Sequence, residues 1–183
     1  MVVLYPKAWH VYLSRMNNFD FYTFAEEMAR SLRGIGHSDS RCRFFKANGS
    51  DEYSSLDERL SSVGSTVLIA VNRGDSDTQR NGADHIEERC GYVIIIASPT
   101  NDSQPDSRIT AVTAADAMLK QIRNVLLRRY GNRLVQAKIY PGDVIADNFF
   151  GKALEFVMTE YPSFAVDSNF FLNDEQASGT VYS

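Results

Sequence analysis

Five aspartates raise the question of metal-assisted hydrolysis. Asp75, Asp77 and Asp84 fall in one polar stretch, and Asp102 and Asp106 in the next. Clustered carboxylates are the ligands that a hard cation such as Mg²⁺ takes. Restriction-type nucleases pair such acids with a further acid two residues before a lysine. Here the residues two positions before the five lysines are Tyr5, Phe44, Met118, Gln136 and Phe150, so the acid is missing each time. Solvated loop charge is the plainer reading of these aspartates. A metal-dependent hydrolase using Asp75, Asp77 and Asp84, or Asp102 and Asp106, stays as the alternative of a different class. A cytosolic small-ligand domain using an apolar sheet and Tyr92 is a third reading.

Other chemistries find less. His10, His37 and His85 are far apart, and Cys42 and Cys90 form no metal knuckle. Gly151-Lys152 lacks the Ser or Thr that a phosphate loop needs next, and Ala146 stands where its first glycine belongs. No G-x-S-x-G elbow exposes a serine. Glu87 and Glu88, at the start of a long apolar strand, read as charges that protect a sheet edge. The sequence therefore predicts no catalytic residue, no metal and no cofactor. Net charge is −4, with 23 acidic against 19 basic residues, which does not suit a broad grip on a phosphate backbone. Fourteen of the basic residues are Arg, the side chain suited to bidentate carboxylate contacts between proteins.

The elements that must position these residues follow from periodicity. Asp20 is a candidate N-cap for a helix whose apolar stripe is Phe21, Phe24, Ala25, Met28, Ala29 and Leu32, ended by Gly34. Arg41–Ala47 alternates as a strand, with Phe44 and Phe45 on opposite sides. Ser55-Leu56-Asp57-Glu58 is a capping box for a short helix to about Val63. Thr66–Val71 reads as a buried strand, 72–84 as a polar loop, and His85–Ala97 as a long central strand apolar on both faces. After a loop over 98–107, a second long helix spans about 109–129, with Ala111, Val112, Ala115, Met118, Ile122, Val125 and Leu126 as its stripe. Strands over Leu134–Tyr140 and Lys152–Thr159 close the body, the latter aiming Leu154, Phe156 and Met158 one way.

This order predicts an α+β fold: a mixed, largely antiparallel sheet of four to five strands, with two long helices packed on one face. The domain plan is an N-terminal arm over 1–18, one domain over 19–161 and a C-terminal tail over 162–183. No apolar run reaches the roughly 18 residues needed to span a bilayer, and no signal peptide is evident, so no membrane partner is expected. Both cysteines fall in expected strands and read as buried free thiols.

One segment carries a resemblance. Ile86-Glu87-Glu88-Arg89-Cys90-Gly91-Tyr92-Val93-Ile94-Ile95-Ile96 is followed by an Asp-rich loop and by a helix with Gln121-Ile122-Arg123-Asn124-Val125-Leu126. A strand with Gly151-x-x-Leu154-Glu155-Phe156-Val157-Met158 closes the segment. This succession resembles the neck and tail-completion proteins of tailed bacteriophages, the tail terminator class above all. The resemblance implies a structural subunit of the virion, present in the host cytoplasm during assembly. Copies would form a ring, a hexamer being one option, that caps the tail tube and meets the head–tail connector proteins. DNA would only pass through the lumen. A stopper or adaptor protein of the virion is the near alternative. Residues on the arm, loops and tail are then the expected protein contacts: Trp9, Arg73, Asp75, Asp77, Arg80, Asp102, Phe170, Phe171 and Tyr182.

Overall fold

Asp20 begins the first helix as its position predicts. In the computed structural model its carboxylate accepts from the Thr23 N–H at 3.0 Å, and helix α1 runs Phe21–Ser31. That hydrogen bond holds the Asp20 carboxyl below its ordinary range. The structure describes residues 19–48, 56–80, 86–101, 103–104 and 106–160, the side chains of Asp57 and Ser61 excepted. After α1 come β1 (Phe44–Asn48), α2 (Leu56–Ser61), β2 (Val67–Arg80), β3 (Ile86–Pro99) and α3 (Ser107–Tyr130). They are followed by β4 (Leu134–Ile139), β5 (Asp143–Ala146) and β6 (Phe149–Glu160).

The fold is α+β, with a mixed six-stranded sheet in the order β1-β2-β3-β6-β4 and with β5 also on β6. Among the described residues only β1 and β2 pair in parallel, and α2 lies between them in the chain. The remaining pairs are antiparallel. The sixth strand, β5, escapes periodicity because its four residues, Asp143-Val144-Ile145-Ala146, are too few to show alternation.

Strand β3 sits between β2 and β6, which explains its apolar centre. Ile94 and Ile96 enter a first core with Leu68, Ala70, Leu154, Phe156 and Met158, while Ile95 and Ala97 enter a second with Val67, Ile69 and Phe45. Helices α1 and α3 both cover the first face through Phe24, Met28, Ala115 and Ile122. Helix α2 covers part of the second through Leu56 and Leu60. The buried stripe of α3 is Ala111, Ala115, Leu119, Ile122 and Leu126. Leu119, not the expected Met118, completes that spacing. Met118 lies at the margin of the first core against Gly34.

Three expectations change. Residues 73–80 are not loop but the outer half of β2, paired to β3 through Ser76↔Cys90, Asp77↔Arg89, Thr78↔Glu88, Gln79↔Glu87 and Arg80↔Ile86. A register shift between Asn72 and Ser76, with Gly74 at φ 71°, carries the strand onward where composition alone reads a turn. Glu88 is flanked by Thr78 and Glu160, so it is interior to the sheet and guards no edge. Cys42 precedes β1 and is exposed, and Cys90 is only partly buried, so neither is the buried thiol expected.

Candidate functional site

The outer half of β2, paired with β3, carries all four of the sequence-predicted contact residues that are described, Arg73, Asp75, Asp77 and Arg80. On the second face, alternation continues from Ile95 and Val93 to Gly91 and Arg89 on β3, and from Ala153 to Glu155 on β6. Glycine at 91 lets two side chains cross the central strand. A Cβ there would stand 2.7 Å from Asp75 Oδ1 and 3.4 Å from Arg73 Cδ. Through that gap the Arg73 guanidinium reaches Glu155 at 2.6 Å and also pairs with Asp75 at 3.1 Å.

Tyr140, just past β4, extends the network. It is hydrogen-bonded to Glu155, and that bond raises the phenol above its ordinary range, burial adding to it. The Lys138 ammonium stands 4.5 Å from the centre of the Tyr140 ring. Asp75, Arg73, Glu155, Tyr140 and Lys138 thus form a belt across four strands. Its side chains are partly open to solvent, Arg73 at 42% and Asp75 at 55%.

Asp77 lies opposite Arg89 in the ladder and accepts from Gln79 Nε2 at 2.8 Å. Arg80 is exposed at the end of β2. Arg89 Nε is buried with no hydrogen-bond partner among the described residues. The structure therefore brings Arg73 and Asp75 together and sets Asp77 and Arg80 further along the same strand. Trp9, Asp102, Phe170, Phe171 and Tyr182 lie outside the described residues, as do Asp84, the arm and the tail. Sequence reasoning missed Gly91, Glu155, Tyr140 and Lys138. A lone glycine inside an apolar strand was the available signal, since it marks a close approach of other groups.

The belt is built of groups that pair with one another. Its carboxylates face a guanidinium, and its phenol is held protonated. Among the described residues no three His, Cys, Asp or Glu gather as metal ligands. On the first face, Tyr92 donates to Glu160 Oε1 at 2.9 Å. Burial, then that bond to Glu160, pushes the Tyr92 phenol far up. Burial likewise raises the Cys90 thiol, with Glu160 and Glu88 adding to it, so Cys90 is a poor nucleophile. Asp116 on α3 lies 2.5 Å from both the Lys120 and Lys152 ammoniums, which hold its carboxyl down to about 2 and pin α3 to β6.

At the opposite end of the sheet an open cleft of about 860 Å³ is lined by Arg43, Thr66, Ser98, Gln104, Ser107 and Thr110 among others. Its Thr66 and Ser98 hydroxyls pair with each other at 2.9 Å, and Arg43 Nη1 donates to the Ile35 carbonyl. Among the described residues no histidine lines it. No helix among the described residues is long and apolar enough to cross a membrane.

Compared with known proteins, the chain matches no family model and no curated sequence.

Proposed function

We propose that the chain is a structural subunit of a phage neck or tail, a tail terminator whose copies close a ring on the tail tube and face the head connector. The observation that carries this reading is the belt from Asp75 to Lys138. It is a charged, partly open network laid across a rigid sheet, built of groups that neutralise one another and present side chains outward. Arg and Tyr on a flat, supported surface are what protein partners use as anchors.

Two further features support it. Strand β1 pairs with β2 only through Asn72, so among the described residues the outer edge of β2 from Arg73 to Arg80 has no neighbouring strand. The outer edge of β4 has none either. A subunit with two different open edges is suited to head-to-tail contacts, which close into a ring when the rotation between copies allows it. The chain's acidic balance would let DNA pass a lumen without adhering.

The test is sedimentation of the purified chain over a wide concentration range. The proposal expects one closed complex that grows no further as concentration rises. Mass that stays at the 20.6 kDa of one chain throughout, or that increases without limit, contradicts it.

A further inference from the structure

The chain is acidic overall, yet between Ala117 and Gly142 it has six basic residues and no acidic one. That stretch is the second half of α3, the following turn and β4. At 3.6 residues per turn the helix divides these charges between two flanks. Arg129 is on the flank toward α1, held by Glu27 through two contacts of 2.8 Å. Asp116, Lys120, Arg123 and Leu127 lie on the other flank, which turns toward β6 and β4, as the Asp116–Lys152 pair records. Strand β4 is an edge with no strand beyond it among the described residues; Val135 and Lys138 are exposed on it, and Lys138, opposite Glu155 in the ladder, is on the face away from α3.

Of the four large apolar side chains exposed among the described residues, two are here, Leu127 at 53% and Val135 at 48%. The open β4 edge thus has Arg123 and Leu127 of α3 over one face of the sheet and Lys138 on the other, with Val135 at the register shift between Leu134 and Gln136.

We infer that this edge docks the C-terminal segment, residues 161–183, of a neighbouring copy. That segment is opposite in charge, with Asp167, Asp174 and Glu175 and no basic residue, and its apolar run Phe170-Phe171-Leu172 offers partners for Leu127 and Val135. Its origin favours a neighbour over its own chain. Strand β6 ends at Glu160, beyond the Met158↔Leu134 pair where β4 begins, and at that point the antiparallel strand points away from the β4 edge. Extended chain added to a sheet edge gains a ladder of backbone hydrogen bonds, with side chains setting specificity. The contact joins two different surfaces, so it propagates from copy to copy. The inference rests on the assembly reading for its partner and adds to it the surface that receives the tail.

The experiment mixes two full-length chains in a Cys42→Ser background, one carrying Val135→Cys and the other Asn169→Cys. Mild oxidation should link the two different chains. Arg123→Glu with Lys138→Glu in the first chain should abolish the link and weaken self-association by about tenfold or more, as loss of paired interface charge does. Adding Asp174→Lys and Glu175→Lys to the second chain should restore both. A disulfide that forms only within a chain carrying both cysteines overturns the inference. So does self-association that is indifferent to the reversed edge, a result that leaves the assembly reading standing. So too does binding to a DNA duplex that the edge reversal abolishes while assembly persists, because the edge would then serve nucleic acid. A wild-type chain that never self-associates removes both.

Discussion

Replacing Gly151 with alanine is expected to be among the most damaging small changes in this chain. A Cβ at 151 would stand 2.1 Å from the Ile96 carbonyl oxygen, 2.7 Å from Ala97 Cα and 2.9 Å from the Ile96 carbonyl carbon. All three atoms are backbone of β3, and no side chain can swing aside. The strands must therefore separate near the Ala97↔Gly151 pair, within a ladder running from Glu88↔Glu160 to Pro99↔Phe149. Separation weakens one or two ladder hydrogen bonds, worth about 1 kcal/mol each, and displaces close-packed side chains at about 1–3 kcal/mol. Both cores rest on this strand pair, and the sum is about 2–5 kcal/mol, above the centre of the range for single substitutions. For a chain of this size that lowers the melting temperature by roughly 4–20 °C, read by far-UV circular dichroism. Gly64→Ala is the control. Nothing lies within 4 Å of its Cβ position, so a change under about 0.5 kcal/mol is expected. A Gly151→Ala protein that melts within a degree or two of wild type would refute the β3–β6 register.

Ile122→Ala should cost about 2–5 kcal/mol in urea unfolding, because the side chain is fully buried between α3 and the sheet. A loss under 1 kcal/mol would mean that the helix face is misassigned. Asp116 predicts a pH effect. Its carboxyl is lowered from an ordinary 3.8 to about 2, so its stabilisation is complete above about pH 4 and is lost as pH falls through about 2. Asp116→Asn should flatten that part of the acid-unfolding curve, and an unchanged curve would show that Lys120 and Lys152 do not hold the acid in solution. Asp75→Asn with Asp77→Asn should leave phosphoester and nucleic-acid turnover at background, as in wild type. Metal-dependent turnover that the double variant abolishes would favour the hydrolase reading.

Much of the fold was legible because its elements bury one face each. Phe24 and Met28 on α1, and Leu154, Phe156 and Met158 on β6, announce their faces by spacing alone, and both long helices do cover one side of the sheet. Phe44 and Phe45 likewise enter separate cores. The outer half of β2 was not legible, because Arg73-Gly74-Asp75-Ser76-Asp77 has the composition of a turn, and pairing with β3 resumes at Ser76 only after a register shift with Gly74 at φ 71°. The belt was illegible for a related reason. Arg73, Glu155 and Tyr140 are remote in sequence, and only the β2-β3-β6-β4 order brings them within reach. Of the contact residues read from sequence, Arg73 and Asp75 fall in that belt, while Asp77 and Arg80 continue along its strand.

The central claim is that copies of this chain assemble into a closed ring, and negative-stain electron microscopy of the purified full-length protein tests it most directly. The account predicts annular particles of one diameter with a central opening, dispersed by the Arg123→Glu and Lys138→Glu pair. A field of single-chain particles at every concentration, or of open fibres without a closed end, would contradict it.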